Sequence, residues 1–108
     1  MRRGATVKSR TLGVPCADIM KTLGDNTRLK IVEMLLAGAQ NVRDLNASLR
    51  IEATLLSHHL RVLKEAGLIE SERTGRFVAY RLSPRLMGAK RGQELDFGCC
   101  KLRFDNER

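Results

Sequence analysis

Apolar residues recur at helical spacing through the first two thirds of the chain and at strand spacing after it. Residues 17–23, ADIMKTL, put Ile19, Met20 and Leu23 on one face of a short helix that Gly24 stops. Asp25 or Asn26 then caps a second helix, DNTRLKIVEMLLAG, expected to run to Gly38. Leu29, Val32 and Leu36 line one face of it. Ile31, Met34 and Leu35 widen the stripe until the helix is apolar nearly all round, as a central core helix should be. Asn41 caps a third helix, VRDLNASL, with Asp44 three residues on as partner in a loose capping box. Its inner stripe is Val42, Leu45 and Leu49.

Arg50-Ile51-Glu52 is read as the turn into a fourth helix. There Leu56, Leu60, Leu63 and the pair Ala66/Leu68 hold the core-facing side. Between them Thr54, Ser57, His58, Arg61 and Lys64 form a second face of hydrogen-bond donors and cations. A helix of that kind suits the major groove of duplex DNA, which is wide enough to admit it. After Gly67, residues 68–73 and 77–82 alternate as two strands of a hairpin around the basic turn Arg73-Thr74-Gly75-Arg76, and Pro84 ends it. That turn is placed to reach phosphates or the adjacent groove. The fold class predicted is mainly α with a small β-hairpin, a winged helix-turn-helix.

The tail is less regular. Leu95, Phe97 and Cys99 share one parity and Leu102 and Phe104 the other, so a bulge or turn is expected at Gly98. Residues 94–104 are read as one or two short strands packed back on the domain or on a partner subunit. The organisation expected is a flexible basic arm over residues 1–15, the winged domain over 16–84, and a C-terminal extension over 85–108. That extension carries the vicinal cysteines and is a candidate sensor or dimer segment. The arm is either a solvated tail or an extra contact to phosphate or minor groove.

Composition narrows the partner. A chain of 108 residues has room for one core. Its net charge of +8 favours a polyanion, since neutralising phosphates releases condensed counterions. Generic solubility charge and anionic lipid are the blander readings, but the charge accompanies a groove-sized helix. One Tyr, three Phe and no Trp leave few stacking platforms for single strands or RNA, so double-stranded DNA is the better match. No apolar run approaches the roughly 20 residues that a membrane helix needs. No apolar signal core follows Arg2 and Arg3, so the expected compartment is the cytoplasm, with no membrane partner.

The segments LGDNTRLKIVEMLLAG, NVRDLNASLRI and LLSHHLRVLKEAGLIESERTGRFVAYRLSP together closely resemble the ArsR/SmtB family of bacterial metal- and redox-responsive repressors, over about residues 20–84. The resemblance implies a homodimer with two recognition helices in successive major grooves of a near-palindromic operator. It places Thr54, Leu55, Ser57 and His58 against bases, Arg61 and Lys64 toward phosphates, and Arg73 and Arg76 in the wing. No cofactor is required for that binding. The chain departs from the family's common Ser-Gln-Ser-Thr-Val run, carrying Glu52-Ala53-Thr54-Leu55-Leu56 instead. Leu55 either touches a thymine methyl or is buried, and the operator sequence does not transfer. His58 and His59 are adjacent and face different directions, which excludes a paired metal site on one face. His58 is read as a DNA-side donor and His59 as packing.

The switch must be argued separately. The family's Cys-x-Cys pair on the third helix would fall at Asn41 and Arg43, and no His follows His59 to build its C-terminal site. What remains is Cys16, Cys99 and Cys100. Three cysteines in a cytosolic chain suggest metal binding, redox sensing or plain burial rather than a disulfide framework. Thiolates select soft ions, and three can hold trivalent arsenic or antimony. Lys101 and Arg103 would favour thiolate. Some family members use a C-terminal cysteine pair for arsenic. Three readings stay open: an As(III)/Sb(III) or other thiophilic inducer ion, reaction with an oxidant, persulfide or other thiol-reactive small molecule, and buried structural thiols. A thiol enzyme would want Cys-x-x-Cys or a cysteine beside a general base, and neither is present. A winged-helix module that binds only protein is disfavoured by the basic face of the fourth helix.

Overall fold

The computed structural model describes Lys8, residues 11–87 and residues 94–105. Most of the predicted basic arm and residues 88–93 lie outside the described residues. In chain order the elements are α1 (Cys16–Leu23), α2 (Asn26–Leu35), β1 (Gln40–Asn41), α3 (Val42–Leu49), α4 (Ala53–Glu65), β2 (Ile69–Thr74), β3 (Phe77–Leu82), a 3-10 turn (Pro84–Leu86), β4 (Glu94–Asp96) and β5 (Lys101–Arg103).

Local chemistry sets the boundaries. Asp25 is the N-cap of α2, its carboxylate accepting the Arg28 amide at 3.0 Å. Asn41 caps α3 by accepting the Asp44 amide at 2.8 Å. Helix α2 stops at Leu35, three residues short of the expected Gly38, and the chain leaves through a turn over Leu36 and Ala37. Between α3 and α4 the chain reverses at Arg50, a left-handed residue with φ 53°. The Asn46 side chain secures that turn by donating to the Ile51 carbonyl at 2.7 Å.

Strands β2 and β3 pair antiparallel from Ile69↔Leu82 to Thr74↔Phe77, and Gly75 (φ 62°) makes the tip. Strand β1 adds a third member on the other edge of β3, Gln40 opposite Tyr80. Helix α2 runs through the centre of one core. Ile31, Val32 and Leu35 pack there with Leu45 of α3, Leu56, Leu60 and Leu63 of α4, and Ile69 and Leu82 of the sheet. On α1, Ile19 and Leu23 are buried, four residues apart as one helical face requires. Met20, expected on that face, is instead 44% exposed, because the next residue along a helix turns about 100° away from the stripe.

The C-terminal segment is a second, smaller hairpin. Leu95 pairs with Leu102, and Gly98, at φ 88°, is the turn expected there. The Phe97 amide donates to the Cys100 carbonyl at 2.9 Å, and the Gly98 amide to the Asp96 carboxylate at 2.8 Å. The hairpin is not an appendage: Leu86, Leu95 and Phe97 are completely buried in the same core. At the other end, Leu12 and Val14 rest on that core, and Lys8 bridges Pro15.

Candidate DNA interface and sulfur cluster

Helix α4 divides its residues as its periodicity implies. Leu56, His59, Leu60 and Leu63 face inward, whereas Thr54, Leu55, Ser57, His58, Arg61 and Lys64 are exposed. Leu55, left open between base contact and burial, is 44% exposed and so lies on the outer face beside Thr54 and His58. The two histidines part company as expected. Buried His59 has its Nδ1 3.2 Å from an Arg28 guanidinium nitrogen and 3.9 Å from the Asp25 carboxylate. A guanidinium only donates, so in the neutral ring Nδ1 is the acceptor. The Arg28 Nε also donates to the Thr22 carbonyl at 2.7 Å. One arginine thus joins the end of α1, the start of α2 and the back of α4. Nothing in local periodicity signals that cluster, because its members lie on different helices.

Charge pairing separates the cations of the wing. Arg81 is held by Glu70 at 3.1 Å and Glu72 at 3.0 Å. Arg73 and Arg76, at the hairpin tip, are exposed and form no salt bridge with any described residue. The wing's two acids therefore neutralise the cation at its base and leave those at its tip uncompensated. Lys64 is less free than its position on α4 suggests: its Nζ donates to the Ser71 hydroxyl on β2 at 2.8 Å, tying the helix to the wing.

Away from this face, Cys16 at the start of α1 meets Cys99 and Cys100 in the β4–β5 turn. Their three sulfurs all lie within 4.8 Å of one another. Cys16 and Cys99 are joined as a disulfide with Cα atoms 6.4 Å apart. The exposed Cys100 sulfur stands 3.9 Å from that of Cys16 and 4.0 Å from that of Cys99. The disulfide differs from the expectation of three thiols. Burial of Leu95 and Phe97 in the common core folds the hairpin back on the domain, which leaves Cys99 within bonding reach of Cys16. Of the two nearby cations, Arg103 is paired with Asp105 at 3.3 Å.

Four helices, a three-stranded sheet with a basic tip and an exposed polar row on α4 make a winged helix-turn-helix. A family model described as "Bacterial regulatory protein, arsR family" matches residues 25–71, which run from the cap of α2 into β2. The chain is 33% identical over 70 residues to the transcriptional repressor SdpR of Bacillus subtilis, covering 65% of this chain and 78% of that protein. The chain belongs to the arsR family. It is 41% identical over 69 residues to the arsenical resistance operon repressor of Escherichia coli K12, covering 63% of this chain and 59% of that one. Among solved structures, a homodimeric winged helix-turn-helix DNA-binding domain from Mycobacterium bovis superposes with a TM-score of 0.59 at 31% identity, covering 62% of each chain. As a member of this family the protein is a DNA-binding transcriptional regulator, not an enzyme. No helix among the described residues is long and apolar enough to cross a membrane.

Proposed function

We propose that the protein is a cytoplasmic, homodimeric repressor that releases operator DNA when Cys16, Cys99 and Cys100 together hold a thiophilic ion such as As(III) or Sb(III). The observation that carries this reading is the convergence of the three sulfurs from opposite ends of the chain. A metal–thiolate bond is about 2.3 Å long, so sulfurs sharing one ion stand roughly 3.5–4 Å apart. The distances of 3.9 and 4.0 Å from Cys100 meet that requirement. The third edge is a bond here, so ion capture requires a dithiol reductant to give it two electrons and two protons, freeing both thiols as the reductant itself becomes a disulfide. Soft thiolates then favour arsenic, antimony, cadmium, zinc or copper(I) over hard cations.

DNA reading rests on the exposed row Thr54, Leu55, Ser57 and His58, with Arg61 and Lys64 beside it and Arg73 and Arg76 on the wing. The exposed Met20 on α1 and the homodimeric relative support a second copy, which the two half-sites of a palindrome would need. Cys16 opens α1, and the end of α1 is bonded through Arg28 of α2 to His59 on the inner face of α4. A change at the cluster therefore has a short route to the recognition helix.

A second reading has its own observation, the Cys16–Cys99 bond. In it the signal is oxidation: the two thiols lose two protons and two electrons to a peroxide or persulfide, and the bond itself alters operator affinity.

A fluorescence-anisotropy titration of the reduced protein against its own promoter, with a salt series, tests both. Steep salt dependence is expected. Repeating it with arsenite, cadmium, zinc, copper(I) and persulfide identifies the inducer. Arsenite should release the duplex from wild type but not from the Cys99→Ser/Cys100→Ser variant, whose affinity without inducer stays normal. Unchanged release in that variant would sink the thiol-sensor reading. Release by oxidant alone, with no response to any ion, would favour the second.

A further inference from the structure

One exposed aromatic is unexplained by folding. Phe77, the first residue of β3, is 55% exposed, although a phenyl ring left in water forgoes the free energy of burial. The Arg43 guanidinium of α3 lies over it, 5.9 Å from the ring centroid, within the range of a cation–π contact. Both residues line an open groove of about 490 Å³ between α3, the start of α4 and the wing. Its polar lining is Asn41, Asn46, Ser57, Arg43 and Arg76, and none of its ten lining residues is acidic. Neither arginine forms a salt bridge with any described residue, in contrast to Arg81 on the same sheet.

We propose that this groove clamps one sugar–phosphate strand of the duplex, with Arg43 and Arg76 gripping the phosphate and Phe77 holding Arg43 in register. The inference rests on the DNA-binding reading and adds residues to it: Arg43 and Phe77 become positioning residues for the recognition helix. Charge complementarity selects the occupant, because two uncompensated guanidiniums favour a phosphodiester. Size agrees, since the groove far exceeds the ~30 Å³ share of one water. Position agrees as well: a strand lying here passes between a helix seated in one groove and a wing reaching toward the next. The stacked ring orients a planar guanidinium, a task a lysine ammonium performs poorly.

The test is anisotropy with the reduced full chain and a duplex of unrelated sequence across a salt series, so no operator need be known. Arg43→Ala and Arg76→Ala should each weaken binding about tenfold and lower the salt slope by about one. Arg43→Lys should recover the slope but only part of the affinity, and Phe77→Leu should weaken wild type while leaving Arg43→Ala unchanged. A duplex series with single methylphosphonate linkages gives an independent measure. One linkage should weaken wild type by the same factor as Arg43→Ala and have no further effect on that variant. Wild-type affinity and slope in Arg43→Ala, with wild type itself binding steeply in salt, overturns the clamp and leaves the DNA reading standing. Failure of wild type to bind any duplex overturns both.

Discussion

The recognition surface and the sulfur cluster are built in opposite ways. Thr54, Leu55, Ser57, His58 and Arg61 come from one helix, and their common orientation follows from its 3.6-residue repeat once Leu56, Leu60 and Leu63 are buried behind them. Cys16 and Cys99 are 83 residues apart, and only the packing of two chain ends on one core brings them together. The first arrangement is robust to change elsewhere, because one helix seated on its core suffices. The second is sensitive to any rearrangement at either end. In the proposed function, a surface that reads DNA and a site that responds to a signal gain from those contrary properties.

The largest effect should come from cutting the tie between them. Phe97 is completely buried beside the cysteines. Phe97→Ala should therefore destabilise the whole domain by about 3–5 kcal/mol, as loss of a core aromatic does. Urea unfolding followed by far-UV dichroism measures this, and a loss below 1 kcal/mol would show that the C-terminal hairpin is separable from the winged domain. Next in size is the disulfide. Closing a loop of 83 residues removes up to about 4 kcal/mol of unfolded-chain entropy, so reduction or Cys16→Ser should lower the urea midpoint markedly. A midpoint indifferent to reductant would mean that the two sulfurs remain thiols in solution.

Two substitutions on α4 sharpen the other side of the comparison. Arg61→Ala should weaken operator and unrelated duplexes by one common factor, about tenfold, because a phosphate contact carries no sequence information. Ser57→Ala should leave unrelated duplex binding unchanged and relax preference at one base pair, by about 1–2 kcal/mol in competition titrations. Equal losses on both duplexes from Ser57→Ala would remove it from the base-reading row.

What the sequence makes legible follows the same division. Caps at Asp25 and Asn41, the stripe of α4 and the glycine turns at Gly75 and Gly98 are local features, and periodicity or residue type is enough to expose them. Strand β1, two residues long, has no pattern of its own and exists only because β3 offers an edge to Gln40 and Asn41. Lys64 reads as a cation directed toward phosphates, and nothing local announces that its ammonium also donates to Ser71. Thiol chemistry marked Cys16, Cys99 and Cys100 as a possible trio, but nothing local forecast the bond between two of them. The Arg43–Phe77 stack joins α3 to the wing and was equally invisible.

The smallest effect concerns the junction where Arg28 bonds α1 to α4. Asp25 caps α2 and stands beside Arg28 and His59 at the back of the recognition helix. The hydrogen bond from the Arg28 amide, chiefly, holds its carboxyl below the ordinary value of 3.8, with the charges of His59 and Arg28 adding to this and partial desolvation opposing it. A carboxyl with a lowered folded-state pKa stabilises the protein above its unfolded pKa, and that contribution fades as the pH falls through the folded value. Asp25→Ala should therefore cost about 1 kcal/mol at pH 7, the usual worth of an N-cap. The gap to wild type should hold down to about pH 5 and narrow below 3.8. Asp25→Asn keeps the capping oxygen and should lie close to wild type at neutral pH, without the acid dependence. Urea midpoints for the three proteins across that range decide the matter, and a gap that widened on acidification would show that the carboxylate is not the cap.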